Sequence, residues 1–191
     1  MAMKKIILLV SGAVAVVALI ISMMWISAYN GAVTREAEIV EKQGNVHAAL
    51  SARYEKVGAL IDAIEGANAT VLGYLETIAD ARTAFANALA AGSQAAADAA
   101  ADTIDATFIT LLSYMEDNPD SYNTVNLYSG FAAEFSASTN LVTGSIILFN
   151  VAVTNYNTHV QTFPNNIFLG GRALYSPYEL TNYNVPLPTF N

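Results

Sequence analysis

The two histidines of this 191-residue chain are its first candidates for chemistry, because imidazole titrates near neutral pH and binds metals. His47 and His159 both occupy positions in apolar helical patterns, and neither has a second His or a Cys beside it to complete a metal site. If the long helices run antiparallel, His159 faces the region of Val33, and His47 lies about 14 residues, or roughly 20 Å, farther along. We therefore expect packing roles for both, not metal binding or acid-base catalysis.

Carboxylates are the second set of candidates. They form one group early in the chain and one group at helical spacing: Glu36, Glu38 and Glu41, and Asp98, Asp102 and Asp105. The aspartates recur at i, i+4 and i+7, so they share a helix face that could bind Ca²⁺ or Mg²⁺ loosely. No glycine-turn loop and no Glu-x-x-His pair accompanies them, so we interpret this face as solvated.

Recognised catalytic and nucleotide-binding motifs are missing from the sequence. It contains no GxSxG, P-loop, HExxH or Rossmann fingerprint. We therefore predict no catalytic residue, no metal, no cofactor and no small-molecule substrate, and we expect that the protein is not an enzyme. A hydrolase that depends on an Asp or a His is the remote alternative.

The N-terminal charge pattern predicts a membrane anchor. Lys4 and Lys5 precede an uncharged stretch from Ile6 to Ala28. As a helix this stretch would span roughly 34 Å, enough for a hydrocarbon core of about 30 Å. A cleaved signal peptide is the alternative, but its apolar core would be shorter, and Ile26 stands where a small residue is needed.

The flanking residues predict the orientation of this anchor. By the positive-inside rule, Lys4 and Lys5 place the N-terminus in the cytoplasm and the remaining chain outside. Trp25 and Tyr29 lie where the aromatic belt of the outer interface is expected. We therefore predict a single-pass membrane protein that has the lipid bilayer as one partner.

Composition excludes several classes of partner and chemistry. The net charge is −8, from 8 basic and 16 acidic residues, and no basic cluster exists, so a nucleic-acid partner is disfavoured. Cysteine is absent, which excludes disulfides, thiol nucleophiles, thiolate metal sites and acylation on cysteine.

Proline and heptad spacing predict long helices. All five prolines lie at Pro119 or later, so no pyrrolidine ring interrupts the preceding chain. A first seam has the seven-residue spacing of Val33, Val40, His47, Tyr54 and Ile61. Small residues at the intervening step predict a groove that another helix can approach closely: Ala37, Gly44, Ser51 and Gly58.

A second seam predicts the last long helix, ending at Phe163-Pro164. Its positions are Tyr128, Phe135, Val142, Phe149, Tyr156 and Phe163, alternating with Phe131, Ser138, Ser145, Ala152 and His159. Between the two long helices, an Ala-rich pair is predicted at about residues 69–91 and 93–117, separated near Gly92.

The predicted fold is all-α. An N-terminal transmembrane helix (residues 1–28) precedes an antiparallel up-down four-helix bundle with long first and last helices (residues 29–166) and an extended C-terminal tail (residues 167–191). The last long helix should return to the region of Tyr29, so the segment Ile167 to Arg172 could rest on lipid. A β-strand over Gly144 to Val153, where β-branched residues are dense, is the alternative that the heptad spacing outweighs.

Motifs in order along the chain carry a family resemblance. Tyr29-Asn30, Val33 and Arg35-Glu36 resemble a YNxLVxxRE opening, and residues 53–66 resemble RRYDLIPNLVETVKG, with Gly58 in place of the proline. Residues 149–166 resemble YNEAVRDYNTxxxxFPSN, and Val185-Pro186 with Phe190 is loosely similar to a terminal P-x-V-D-F. Together these motifs resemble the LemA family, which implies a bacterial membrane-anchored helical protein, a type often associated with membrane proteases and quality-control components.

One departure from the family pattern suggests how the chain interacts. Where family members carry Arg and Glu before the YN motif, this chain is apolar from Leu141 to Leu148. Exposed apolar surface of this extent favours a partner. The candidate interaction residues in and just after this segment are Ile146, Ile147, Leu148 and Val151.

We therefore expect a non-enzymatic scaffold or adaptor for other membrane proteins of the cell envelope. The alternative is a self-assembling structural protein that forms a homo-oligomer or array through its small-residue groove and apolar helix faces.

Overall fold

The computed structural model describes residues 2–62, 64, 68–118 and 125–178, with side chains for 3–62, 64, 68–118 and 135–178. These residues form five helices: α1 (Ala2–Asp62), α2 (Ala69–Ala90), α3 (Gln94–Glu116), α4 (Val125–Gln161) and α5 (Asn165–Leu169). The described part of the chain contains no strand, so the all-α prediction is confirmed and the strand alternative over Gly144 to Val153 is wrong. The predictions for the side chains of Tyr128 and Phe131, and for the chain after Tyr178, lie outside the described residues.

The helix ends follow from local sequence. At the start of α2, the Asn68 side-chain oxygen accepts hydrogen bonds from the backbone N–H groups of Thr70 and Val71, the arrangement of an N-cap. Gly92 lies between α2 and α3 with φ +67°, a left-handed conformation that cannot continue an α-helix. Glycine suits this position because it has no Cβ to be strained there. The predicted breaks near Gly92 and before Phe163-Pro164 are confirmed.

Contacts divide the chain into two compact units. The anchor unit comprises Met1–Lys42 and Phe149–Pro177, and the core unit comprises Gln43–Leu148 and the chain from Tyr178. Both long helices, α1 and α4, contribute residues to each unit.

In the anchor unit, the end of α4 packs against the start of the non-apolar part of α1. The side chains of Ala32, Ile39 and Tyr156 are buried there, and the His159 Nε2 atom lies 2.9 Å from the Ala28 carbonyl oxygen. The prediction that the last long helix returns to the region of Tyr29 is confirmed by this contact.

In the core unit, aromatic side chains bridge the helices. Tyr54 of α1 meets Phe85 of α2 edge to face at 5.1 Å between ring centroids. Phe108 of α3 lies 5.0 Å from Phe135 of α4. Such pairs stabilise a helical core beyond the area that they bury.

The predicted seam of α1 is displaced by one residue from the buried seam, although its member Tyr54 is buried. Val33 and Val40 are 44% and 61% exposed. The residues actually buried at seven-residue spacing are Ala32, Ile39, Val46, Arg53 and Leu60. The sequence hides this seam because two of its five members are an alanine and a charged residue, which a search for apolar side chains passes over.

The predicted seam of α4 is largely confirmed. Its members Phe135, Val142, Phe149 and Tyr156 are all buried. Phe163 is the exception, at 78% exposed, because it lies beyond the end of α4 at Gln161.

Among the described residues, two helices are long and apolar enough to cross a membrane, α1 from Met3 and α4 from Phe135. None of the most apolar window of α1 is buried, whereas 39% of the corresponding window of α4 is buried. The exposed apolar stretch of α1 coincides with the predicted anchor, while α4 contributes to the protein core.

The tail prediction needs a correction at its start. Residues 167–169 belong to α5 rather than to an extended segment, and Leu169 is buried. Turns and a bend follow α5 from Gly170 to Arg172, and the described part of the tail has no regular secondary structure from Ala173 to Tyr178.

Candidate functional site

The core unit contains a buried ion pair between α1 and α3. Arg53 and Asp105 are each 1% exposed, and the Arg53 Nε atom donates to an Asp105 carboxylate oxygen at 3.0 Å. The same guanidinium donates to the Thr139 hydroxyl and lies 4.0 Å from the centroid of the Phe135 ring. The Tyr54 hydroxyl donates to the second Asp105 oxygen at 3.4 Å.

This environment explains the electrostatics of the pair. Burial raises the pKa of the Asp105 carboxyl, and the Arg53 guanidinium opposes that effect. Burial also raises the pKa of the Tyr54 hydroxyl, and the neighbouring Asp105 adds to the shift. Since both charges are enclosed and hydrogen-bonded, the pair holds helices together and offers no surface to a substrate.

The aspartate face of α3 is therefore not a solvated face. Asp105 is buried, and half-buried Asp98 is tied to the tail, because the Tyr178 hydroxyl donates to its Oδ1 atom at 2.5 Å. Gln94 donates to the same oxygen at 2.7 Å. Burial raises the pKa of Asp98, and these two hydrogen bonds oppose that shift.

Both histidines are half-buried, and their ring nitrogens contact polar groups. His47 Nε2 lies 2.7 Å from the Gln94 side-chain oxygen, which also accepts from Gln43. His159 uses both ring nitrogens, Nε2 toward the Ala28 carbonyl and Nδ1 toward the Asn165 amide at 3.2 Å. Gly31 makes room for this ring, since a Cβ there would lie 2.7 Å from the His159 Cε1 atom.

A second polar cluster fastens the tail within the anchor unit. Glu36 accepts hydrogen bonds at 2.9 Å from Arg172 and from the Tyr175 hydroxyl. The Arg172 guanidinium lies 4.9 Å from the centroid of the Tyr29 ring, within cation–π range. Asn157 and Tyr175 exchange two further hydrogen bonds, and burial raises the pKa of the Tyr175 hydroxyl.

Beside this cluster is the anchor-unit cleft, a cavity of about 630 Å³. It is lined by Thr34, Arg35, Glu38, Asn155, Thr158, His159 and Thr162. Arg35 donates to the Gly31 carbonyl at 3.0 Å. No ion pair joins Arg35 to Glu38 or to any other described carboxylate.

The core unit has a comparable cleft of about 590 Å³ between α1 and α2, which we call the Arg82 cleft. Its lining includes Ser51, Tyr54 and Arg82. The Arg82 guanidinium covers Gly58, where a Cβ would lie 2.7 Å from the Arg82 Cζ atom.

The residues predicted for the small-residue groove have different environments. Ala37 and Gly44 are exposed, and nothing lies within 4 Å of a Cβ placed on Gly44. Ser51 is half-buried and Gly58 is buried against Arg82. The four positions therefore do not form one open groove: Ala37 and Gly44 are exposed, Ser51 lines the Arg82 cleft, and Gly58 is covered by Arg82.

The residues predicted for the apolar face of α4 also differ in their exposure to solvent. Ile146 is 6% exposed and belongs to the core, whereas Ile147, Leu148 and Val151 are 57%, 55% and 50% exposed. The part of the chain that the structure describes holds no group of three His, Asp or Glu side chains placed to bind a metal.

Sequence reasoning missed the Arg53–Asp105 pair and the anchor-unit cleft. A signal for the pair existed, since an arginine at seven-residue spacing from Ala32, Ile39 and Val46 requires a buried carboxylate. The cleft has no comparable signal, because Arg35 and Asn155 are 120 positions apart and meet only through the packing of α1 and α4.

Comparison with known proteins adds one match. The model of the LemA family matches residues 42–181, which is more than half of the chain and covers most of the described helices after the apolar stretch. No curated protein and no solved structure gives a significant match. Family membership and the exposed apolar stretch of α1 are together consistent with a membrane-associated protein. The chain belongs to the LemA family.

Proposed function

We propose that this protein is a non-enzymatic, single-span membrane protein whose helices act as a scaffold or adaptor for other proteins of the cell envelope. Its N-terminus lies in the cytoplasm and the region after Ala28 lies outside. The observation that carries the proposal is the continuity of α1, which runs from Ala2 to Asp62. One helix thus contains both the exposed apolar stretch and residues of the family domain, which begins at residue 42.

The use of polar groups supports a structural role. Two ion pairs join charged side chains within the protein: Arg53 with Asp105, and Glu36 with Arg172. A catalytic acid or base must instead reach a substrate atom from a cleft.

Membrane insertion is tested by extraction of native membranes with alkaline carbonate, followed by labelling of introduced cysteines. Because the chain has no native cysteine, Met3→Cys and Ser176→Cys each provide one unique site, and both positions are exposed. We expect the protein to resist extraction, and a membrane-impermeant maleimide to label position 176 in intact cells but position 3 only after lysis. Release by carbonate, or the reversed labelling pattern, would refute the proposed anchoring or orientation.

A second candidate function, self-assembly, is favoured by one observation, the exposure of Ile147 and Leu148 on α4. The mass of the full-length protein in lipid nanodiscs separates it from the adaptor role. A single copy per nanodisc supports the adaptor, whereas a discrete or extended assembly supports self-association.

Neighbouring isoleucines supply a matched pair of variants for that measurement. Ile147→Asp places a charge on an exposed position and should leave the fold intact, while dissolving any assembly through this face. Ile146→Asp buries an unpaired charge and should unfold the core unit in either case. Retention of an assembly in folded Ile147→Asp would exclude this face as the contact.

A further inference from the structure

The anchor-unit cleft lies next to the end of the predicted membrane span. The predicted span ends at Ala28, and the His159 ring, which lines the cleft, bonds to the Ala28 carbonyl oxygen. The Arg35 guanidinium reaches back along α1 to the Gly31 carbonyl. Gly31 is three residues, or about 4.5 Å, beyond the end of the span, within the headgroup layer that flanks the hydrocarbon core.

Apolar side chains beside the cleft support this depth. α4 approaches Ala28 at His159, and Asn165 contacts the same ring after the turn at residues 162–164, so this turn lies near the end of the predicted span. There Phe163 and Ile167 are 78% and 67% exposed, although both are large and apolar. Exposed side chains of this kind at the edge of a span are typical of contact with lipid chains.

The cleft carries one positive and one negative group that are free to bind a ligand. Arg35 makes its one hydrogen bond among the described residues to Gly31, which leaves the other guanidinium donors for an anion. Glu38 makes no ion pair among the described residues, since the nearby Lys42 bonds to Glu41 at 2.8 Å. The Asn155 amide adds a neutral donor on the opposite wall of the cleft.

The order of these charges along α1 selects the ligand. The Arg35 guanidinium lies at the Gly31 carbonyl, and Glu38 is seven residues beyond Gly31 on α1, so the carboxylate lies farther from the hydrocarbon core than the guanidinium. A phosphate nearest the core would meet Arg35, and a cation attached to that phosphate would meet Glu38. A purely anionic headgroup would place its charge beside Glu38 without compensation, and a trimethylated amine has no N–H to donate to the carboxylate.

We propose that the anchor-unit cleft binds the headgroup of a zwitterionic phosphoethanolamine lipid of the surrounding bilayer. Arg35 and Asn155 hold the phosphate, and Glu38 accepts from the primary ammonium. The inference rests on the proposed membrane anchoring, because only an inserted α1 brings the cleft to the headgroup layer. It gives the protein a lipid preference in addition to its anchor.

Lipid retention by the full-length protein tests this site. The protein is reconstituted in nanodiscs with equal amounts of phosphatidylethanolamine, phosphatidylcholine and phosphatidylglycerol, released into mild detergent, and analysed by native mass spectrometry. We expect phosphatidylethanolamine to be retained in preference to the other two by up to about fivefold, the range of one exposed ion pair. Equal retention of the three lipids would overturn the proposal.

Two variants separate the roles of the charges. Arg35→Gln should reduce retention of all three lipids, since each carries a phosphate. Glu38→Gln should remove only the preference for ethanolamine over choline. Glu41→Gln and Arg82→Gln are matched controls outside the cleft, and neither should change the preference. Unchanged retention in both cleft variants, with far-UV circular dichroism equal to that of the wild type, would refute the assignment.

A competition experiment distinguishes a lipid from a soluble phosphate compound. Glycerophosphoethanolamine and inorganic phosphate are added to the lipid-loaded protein at millimolar concentration. Retention of the lipid against both compounds, or its displacement by glycerophosphoethanolamine alone, supports recognition of the lipid headgroup. Displacement by inorganic phosphate would show a site for soluble phosphates and overturn the proposal. Carbonate extraction of the same variants keeps the two hypotheses apart, because loss of lipid preference in a protein that still resists extraction refutes the headgroup site alone.

Discussion

Two arginines of α1 occupy contrasting environments. Arg53 in the core unit is 1% exposed and contacts Asp105, Thr139 and the Phe135 ring. Arg35 in the anchor unit is half-buried, lines a cleft, and has one hydrogen bond to a backbone carbonyl. A buried charge is tolerated only when its partners are complete, so Arg53 is committed to the fold, while Arg35 keeps donors for a ligand.

The carboxylates of the same two sites, Asp105 and Glu38, differ in the same way. Asp105 is enclosed, and burial raises its pKa despite the neighbouring guanidinium. Glu38 is exposed at the rim of the cleft and is not ion-paired to Arg35. The comparison indicates that two arginines of one helix can have different roles. The buried Arg53 stabilises the fold, whereas the half-buried Arg35 is accessible to a ligand.

The largest expected effect comes from breaking the buried pair. Asp105→Ala leaves the Arg53 guanidinium buried without its counterion, and we expect a loss of about 3 to 5 kcal/mol in the free energy of unfolding. Glu38→Ala, its counterpart in the anchor unit, should change that free energy by less than about 0.5 kcal/mol because the side chain is exposed. Denaturant titration of the full-length protein in detergent, followed by far-UV circular dichroism, measures both.

The double variant Arg53→Met/Asp105→Leu sharpens this comparison. Removing both charges also removes the unpaired group, so most of the stability lost in Asp105→Ala should return. If Asp105→Ala and Glu38→Ala were equally mild, the distinction between a structural and an available pair would be wrong.

Alanine substitutions at three glycines of α1 are expected to change the stability of the protein by intermediate amounts. In Gly31→Ala the new methyl group meets the His159 ring, which two hydrogen bonds hold in place, and we expect a loss of about 1 to 2 kcal/mol. In Gly58→Ala it meets the flexible end of Arg82, which can move, so the change should stay within about 0.5 kcal/mol. In Gly44→Ala the methyl group has no neighbour within 4 Å. The free energy of unfolding should rise by up to about 1 kcal/mol, because alanine has a higher helix propensity than glycine.

Thermal unfolding of the three variants in one detergent decides among these outcomes. The order of midpoints should be Gly44→Ala, then Gly58→Ala, then Gly31→Ala. A Gly58→Ala variant less stable than Gly31→Ala would mean that Arg82 is held more firmly than the His159 ring.

The helices were predictable because their signals are local. Gly92 and the Phe163-Pro164 step stop helices through backbone geometry alone, and the seam of α4 is made of large apolar side chains such as Phe135 and Tyr156. The family motifs from Tyr29 to Glu36 and from Phe149 to Asn166 pointed to the same helices.

The polar sites were missed because they join distant positions, although the seven-residue spacing of Arg53 from buried residues was a signal for one of them. Arg53 and Asp105 are 52 residues apart, and spacing within α3 suggested a solvated face where the partner of Asp105 comes from α1. The α1 seam was misplaced by one residue because a search for apolar spacing passes over Arg53, whose partner Asp105 lies on α3. Composition and period describe one helix at a time, whereas these sites depend on how helices pack.

The smallest expected effect is a pH dependence of folding stability that arises from half-buried Asp98 in the core unit. Burial raises its pKa in the folded state, so the folded protein binds a proton more tightly than the unfolded chain. The contribution of Asp98 to stability is therefore present at acid pH and is lost as the pH rises through the raised folded pKa. Because the side chain is half in solvent, the change should stay below about 1 kcal/mol.

Asp98→Asn isolates this contribution. Both hydrogen bonds, from Tyr178 and Gln94, reach the same Oδ1 atom, which an asparagine oxygen can replace. The nearby His47 attracts the charged carboxylate and Asp102 repels it, and both remain in the variant. We expect Asp98→Asn to match or slightly exceed the wild type in stability near pH 7, and this advantage to vanish as the pH falls below the folded pKa of Asp98. Unfolding midpoints at pH 4, 5.5 and 7 test the sign, and a variant that loses stability only near pH 7 would show that Asp98 stabilises the fold as an anion.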